Sequence, residues 1–171
     1  MFGKVAGLVM MVLGFSGAGL TIASNYASRV RELADIGAAL AILETEVCVS
    51  LRPLPVALER AAEHSRGPAR VLLRTAAAGI RDGRPAGEAW SRGLDAAIEQ
   101  SSLTDEDGGI IRELGSRLGS SPAPDQQRHM RDVAARVSLC EAEARQRQAR
   151  EGRLWGYAGV LGGLALAAIL L

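Results

Sequence analysis

Apolar side chains return at helical spacing along nearly the whole chain. Tyr26, Val30, Leu33, Gly37, Leu40 and Val47 are separated by steps of 4, 3, 4, 3 and 7, which predicts a first amphipathic helix over residues 26–49. Glu44 occupies a position on that seam, so its carboxylate belongs at the core edge, in solvent or against an arginine. Glu46 falls about 200° round the helix from it, so the two are not a catalytic pair on one face. Arg52-Pro53-Leu54-Pro55 ends the helix, because proline drives the residue before it out of the helical region. Pro55 also suits the first turn of a short second helix, whose apolar side is Leu54, Leu58, Ala61 and Ala62.

Gly67-Pro68 stops that helix, and a third over residues 68–81 presents Val71, Leu72, Thr75, Ala76, Gly79 and Ile80 before Asp82-Gly83-Arg84-Pro85 breaks the chain. The fourth starts at Pro85 and shows Ala89, Trp90, Gly93, Leu94, Ala97 and Ile98, with Trp90 as its core anchor. Thr104-Asp105-Glu106-Asp107 reads as a capping box opening a fifth helix. Ile110, Ile111, Leu114 and Leu118 lie along one side of it, and Gly119 is placed as its left-handed cap. After Ser120-Ser121-Pro122-Ala123-Pro124, a sixth helix begins near Asp125, with Gln126, Met130, Val133, Val137, Cys140 and Ala144 at steps of 4, 3, 4, 3 and 4. No two-residue alternation bounded by turns occurs, so the expected fold is all-α, a compact bundle of about six helices.

Two stretches are apolar on every side. Residues 154–171 carry no charge and reach about 27 Å as a helix, close to the thickness of a bilayer core. Trp155 and Tyr157 sit at one end, just beyond Arg145, Arg147, Arg150 and Arg153, so that end is expected in the cytoplasm. Residues 5–23 form the second stretch, interrupted only by Ser16 and Thr21. A cleaved secretory signal is the competing reading for it, and a buried core helix is the competing reading for the last segment. The expected order is a transmembrane helix over 1–24, a cytoplasmic helical domain over 25–153 and a transmembrane helix over 154–171, with both ends of the chain outside the cytoplasm. Gly152, Gly156, Gly159 and Gly163 share one helical face, as do Gly3, Gly7 and Gly14, so the two segments are candidates to pack on each other. A second copy of the chain is open as a further partner. Continuity of the sixth helix into the last segment, or a joint at Gly152, are both open.

Charge and composition remove several functions. Basic and acidic residues balance at 20 against 19, which gives no support to nucleic-acid binding. The single lysine, Lys4, borders an apolar segment, so a phosphate-cradling Gly-Lys-Ser/Thr loop is absent. His64 and His129 lie on different helices, no Cys-x-x-Cys or His-Glu-x-x-His spacing occurs, and no base is aligned with a Ser or Cys nucleophile. No cofactor or metal is expected, and the chain reads as a membrane-held assembly module, not an enzyme. Cys48 and Cys140 are expected as buried, unpaired thiols.

Several short strings then carry a family resemblance. They are Leu43-Glu44-Thr45-Glu46, Pro53-Leu54-Pro55 with Ala57-Leu58, Ala89-Trp90, Leu114-Gly115 with Leu118-Gly119-Ser120, Asp125-Gln126-Gln127-Arg128-His129, and Gly159-Val160-Leu161-Gly162-Gly163. Taken in order with both apolar ends, the chain resembles the stage III sporulation protein AB family from end to end. Ser121-Pro122 departs from the Ser/Thr-Asp that the family prefers after its Gly-Ser. The resemblance implies a component of the sporulation channel joining mother cell and forespore, lying in the cell membrane on the mother-cell side of the forespore envelope. It also implies a helical domain similar to the cytoplasmic domains of type II secretion and type IV pilus platform proteins. By that analogy the domain docks a secretion-type ATPase, the sporulation AA protein, beside other channel membrane proteins, and binds no cofactor. Glu44, Glu46, Asp125, Gln126 and His129 are the candidate partner contacts. A platform protein of another secretion or pilus machine, or a membrane-anchored enzyme or sensor, are the alternative functions.

Overall fold

The computed structural model describes the backbone of residues 2–118 and 123–170, with side chains at residues 21, 24–118 and 125–150. Helix α1 spans Phe2–Glu44 and continues into a π-helical turn, Thr45–Val49. Helices α2 (Leu54–Glu63), α3 (Gly67–Arg81), α4 (Ala86–Ile98) and α5 (Asp105–Gly115) come next, and α6 runs over Ala123–Leu170. Among the described residues there is no strand, in keeping with the all-α expectation. The apolar run at each end and its neighbouring amphipathic helix form one continuous helix. The joint considered at Gly152 does not occur in the backbone, since one interior glycine costs a helix only about 1 kcal/mol.

The chain divides into two units, Arg29–Ala142 and the pair of segments Met1–Ser28 and Glu143–Leu171. These divisions fall inside α1 and α6, inward of the 24/25 and 153/154 boundaries read from the sequence, by a few residues in α1 and by about three helical turns in α6. Among the described residues no helix is long and apolar enough to cross a membrane. The two segments read as membrane spans have most of their side chains outside the described set, and so do the glycine faces at Gly3, Gly7, Gly14, Gly152, Gly156, Gly159 and Gly163. Gly119 and Ser121-Pro122 lie outside the described residues as well.

In the unit Arg29–Ala142, α1 and α6 run antiparallel. Gly37 faces Val137, and Glu44 at the end of α1 meets Gln127 and Arg131 near the start of α6. The core of this unit takes Leu33, Ile36, Leu40 and Leu43 from α1, Leu58 from α2, Leu72 and Leu73 from α3, and Leu94 from α4. Ile36 and Leu43 lie outside the seam read from the sequence. The buried face of α1 is broader than a two-helix stripe because a helix inside a bundle is covered on more than one side.

Trp90 is wholly buried and donates its indole N–H to the Ile111 carbonyl at 2.9 Å, fixing α4 against α5. That contact needs Gly115, where an added Cβ would stand 2.5 Å from Trp90 Cδ1. Helix α5 ends at Gly115, four residues before the cap expected at Gly119, although Leu118 is still buried. Three residues further along α4, Gly93 lets the backbone approach α3 so closely that a Cβ would lie 2.5 Å from the Leu72 carbonyl oxygen.

The capping box at the start of α5 forms as expected. Thr104 Oγ1 accepts from the Asp107 N–H at 3.3 Å, and Asp107 Oδ2 accepts from the Thr104 N–H at 2.9 Å. The same carboxylate also receives a buried guanidinium fork from α1, with Arg29 Nε at 2.8 Å and an η nitrogen at 2.9 Å. Burial alone would push the Asp107 carboxyl up, but the Arg29 fork and the Thr104 N–H and hydroxyl outweigh it and hold the group below its ordinary range.

Breaking a buried pair strands the remaining charge, so Arg29→Leu is expected to lose about 3–5 kcal/mol of stability in urea unfolding monitored by circular dichroism. Because the folded pKa of Asp107 is depressed, its contribution is complete above the unfolded value of about 3.9 and fades as pH falls through the folded value. Unfolding midpoints measured below about pH 4 are therefore expected to fall more steeply for the parent than for Arg29→Leu.

Candidate functional site

The five residues singled out from the sequence fall into three environments. Glu44 closes α1 with its side chain only 19% exposed. Its Oε1 accepts from Arg131 Nε at 2.7 Å and from Gln127 Nε2 at 3.0 Å, so of the three readings open for it an arginine holds it. Glu46 lies in the π-helical turn, with Oε2 2.7 Å from Arg52 Nε, while the Arg52 N–H donates to the Glu46 carbonyl at 3.1 Å. The two carboxylates thus serve different arginines and form no acid pair.

Gln126 and His129 are about nine-tenths buried. His129 Nε2–H donates to the Glu113 carbonyl at 3.3 Å, and the Glu113 carboxylate pairs with Arg136, so this stretch of α6 is strapped to α5. Asp125 is exposed in the first turn of α6, where a carboxylate suits the positive end of the helix dipole. Of the five, Asp125 alone stands open at the surface, and Gln126 and His129 face the interior because their helix positions fall on the α6 core seam.

The turn that continues α1 is the unusual part of this end. Thr45–Val49 is π-helical, with the Ser50 N–H donating to the Thr45 carbonyl at 2.9 Å. Leu51 takes φ = 51°, a left-handed conformation that a leucine rarely adopts. Val49 and Leu51 are 70% and 73% exposed, and Val56 in the first turn of α2 is exposed too. In the sequence, Arg52-Pro53-Leu54-Pro55 reads as a helix breaker only. These aliphatic side chains escape notice there because nothing in their order distinguishes a buried leucine from one held outward.

Cys48 lies in the same turn and is half-buried, as is Cys140, so neither is the fully buried thiol expected, although neither forms a disulfide. Burial pushes the Cys48 thiol up, Glu44 adds to this and Arg131 partly opposes it, which keeps the sulfur protonated. A hollow of about 420 Å³ is lined by Glu59 and Glu63 of α2 and Arg74 and Ala78 of α3. Glu59 is paired with Arg81 at its rim, and the lining offers no thiol, hydroxyl or imidazole. No group of three or more potential metal ligands occurs among the described residues. At the end of α1 the geometry assembles an exposed aliphatic turn beside two carboxylates that arginines hold.

Comparison with known proteins gives the family. Residues 4–171 match the model of the family described as stage III sporulation protein AB. The chain belongs to the stage III sporulation protein AB family. Stage III sporulation protein AB of Bacillus subtilis (strain 168) is 27% identical over 169 residues, covering 98% of this chain and 99% of the relative. A solved structure of stage III sporulation protein AB (SpoIIIAB) superposes with a TM-score of 0.67 at 26% identity, covering 72% of this chain and 98% of the solved one. The family resemblance read from the short strings is therefore correct, and the bundle is the fold of the AB family.

The bonds at Glu44 set an energetic expectation. Losing a partly exposed ion pair and a side-chain hydrogen bond makes Glu44→Ala less stable by about 1–2 kcal/mol. A double-mutant cycle with Arg131→Ala is expected to give a coupling of about 0.5–1 kcal/mol. A coupling of zero in urea unfolding would show that Arg131 does not anchor the end of α1.

Proposed function

We propose that the chain is a structural component of the sporulation channel between mother cell and forespore. Its helical bundle docks a secretion-type ATPase, the sporulation AA protein, and couples it to other membrane proteins of the channel. In this reading the apolar runs over residues 5–23 and 154–171 are transmembrane helices. The basic cluster Arg145, Arg147, Arg150 and Arg153 keeps the bundle in the cytoplasm, and both ends of the chain lie outside it. The protein performs no chemistry of its own, and its role is to hold a motor at a fixed place.

One observation carries the proposal. The bundle is entered through α1 and left through α6, which run antiparallel, and each of these helices also contains one of the uncharged runs. A domain tethered at two neighbouring points of one end has little freedom to tumble. A partner bound to it would be held in register with the membrane. Family membership supplies the sporulation setting, and the resemblance to secretion platforms supplies the motor.

The test has two arms. In intact cells a membrane-impermeant maleimide is expected to leave Cys48 and Cys140 unlabelled until the membrane is opened, and alkaline carbonate is expected to leave the protein with the membranes. Purified sporulation AA-type ATPase is expected to co-float with vesicles that carry the full chain and not with empty ones. Labelling from outside, release by carbonate, or equal flotation with empty vesicles would each count against the proposal.

A further inference from the structure

Where α1 ends, three aliphatic side chains stand in water: Val49, Leu51 and Val56. They are not there through slack in the chain. A π-helical turn leads into them, Leu51 is held at φ = 51°, and Pro53 and Pro55 stiffen the entry to α2. A leucine kept in the left-handed region is a constraint that the surrounding structure has to maintain, and such outliers concentrate at functional contacts. Glu44, which closes α1 just before the turn, meets the start of α6, so the turn lies at the end of the bundle away from Arg29 and Ala142, where the chain enters and leaves the unit.

The charges at this turn are arranged in two layers. The carboxylates of Glu44 and Glu46 are about four-fifths covered, whereas the side chains of Arg52 and Arg131 that meet them are 42% and 65% exposed. Each arginine meets its carboxylate through Nε. The outward rim of the aliphatic turn is therefore cationic, with its counter-charges underneath. An apolar centre with an arginine rim matches a partner segment that carries aliphatic side chains flanked by carboxylates.

From this arrangement we infer that Val49, Leu51 and Val56, rimmed by Arg52 and Arg131, form the seat for an acidic, aliphatic segment of the ATPase proposed above. The inference rests on that reading and adds where contact occurs and with what chemistry. It reverses the roles suggested by the sequence for Glu44 and Glu46. They position the arginines, and the arginines and aliphatic groups make the contact.

The experiment titrates the purified sporulation AA-type ATPase onto full-length protein in lipid vesicles. Leu51→Asn keeps a residue that tolerates positive φ while removing the aliphatic group. It is expected to weaken binding by about tenfold or more and to leave the thermal midpoint unchanged or higher. Leu139→Asn, at an exposed leucine on α6, is expected to change binding less than about twofold. Arg131→Glu is expected to weaken binding as well, and raising salt from about 50 to about 300 mM should weaken the parent more than this variant. ATPase binding that is indifferent to Leu51→Asn and Arg131→Glu overturns this inference and leaves the motor-docking reading standing. No binding by the unsubstituted protein overturns both. Loss of self-association or of binding to empty vesicles in Leu51→Asn, with ATPase binding intact, assigns the surface to a second copy or to lipid and also overturns it.

Discussion

The grip of Arg29 on Asp107 is the interaction on which the bundle depends. Asp107 already closes the capping box of α5, and the same carboxylate takes both arms of a guanidinium from α1. One side chain thus ends a helix, fixes its partner and neutralises a buried charge. Any displacement of α1 relative to α5 would open the cap and strand a carboxylate in the interior, which is far less favourable than losing a surface contact. The start of the α1 portion of the unit is therefore set against α5 as tightly as a single polar contact allows.

With that end fixed, close backbone approach orders the middle of the unit. Gly93 brings α4 against α3, Gly115 receives the face of Trp90, and the indole N–H is satisfied by a carbonyl of α5. These contacts tolerate little change in side-chain volume, because the groups they face are backbone atoms or a wholly buried ring. At the far end the bonds are of another kind: Glu44 to Arg131 and Gln127, and Glu46 to Arg52, all partly exposed. The unit is thus tied by a buried ion pair at one end and by solvent-facing pairs at the other. The second end is where a surface can adapt to a partner without disturbing the core.

Membership in the stage III sporulation protein AB family places this architecture in spore formation. The proposed role in holding a motor demands a rigid body, a fixed attachment and a distinct contact surface. The buried fork and the glycine-mediated packing supply the first. The contact surface is proposed at the π-helical turn, the one place among the described residues where a non-glycine residue holds positive φ beside exposed aliphatic groups.

Much of this is legible in the order of residues. The 3.6-residue recurrence of apolar positions, the prolines at 53, 55, 68 and 85, and the Thr104–Asp107 cap are local signals, and each marks an element that the fold contains. Trp90 as a core anchor and the family strings are local too, because each depends on neighbours a few positions away. The partners of Glu44 and Asp107 are not, since Arg131 and Arg29 lie 87 and 78 positions distant and nothing along the chain pairs them. Gln126 already sits on the seam of the sixth helix, whereas His129 looks like a surface group in the sequence because its polarity is a property of the residue and its burial comes from the helix that covers it. Leu51 shows the same division: its hydrophobicity is written in the sequence, but its outward, left-handed placement arises where a π-helical turn, two prolines and the packing of α2 meet. Local chemistry determined which segments became helices, and only their assembly decided which side chains were left to meet another molecule.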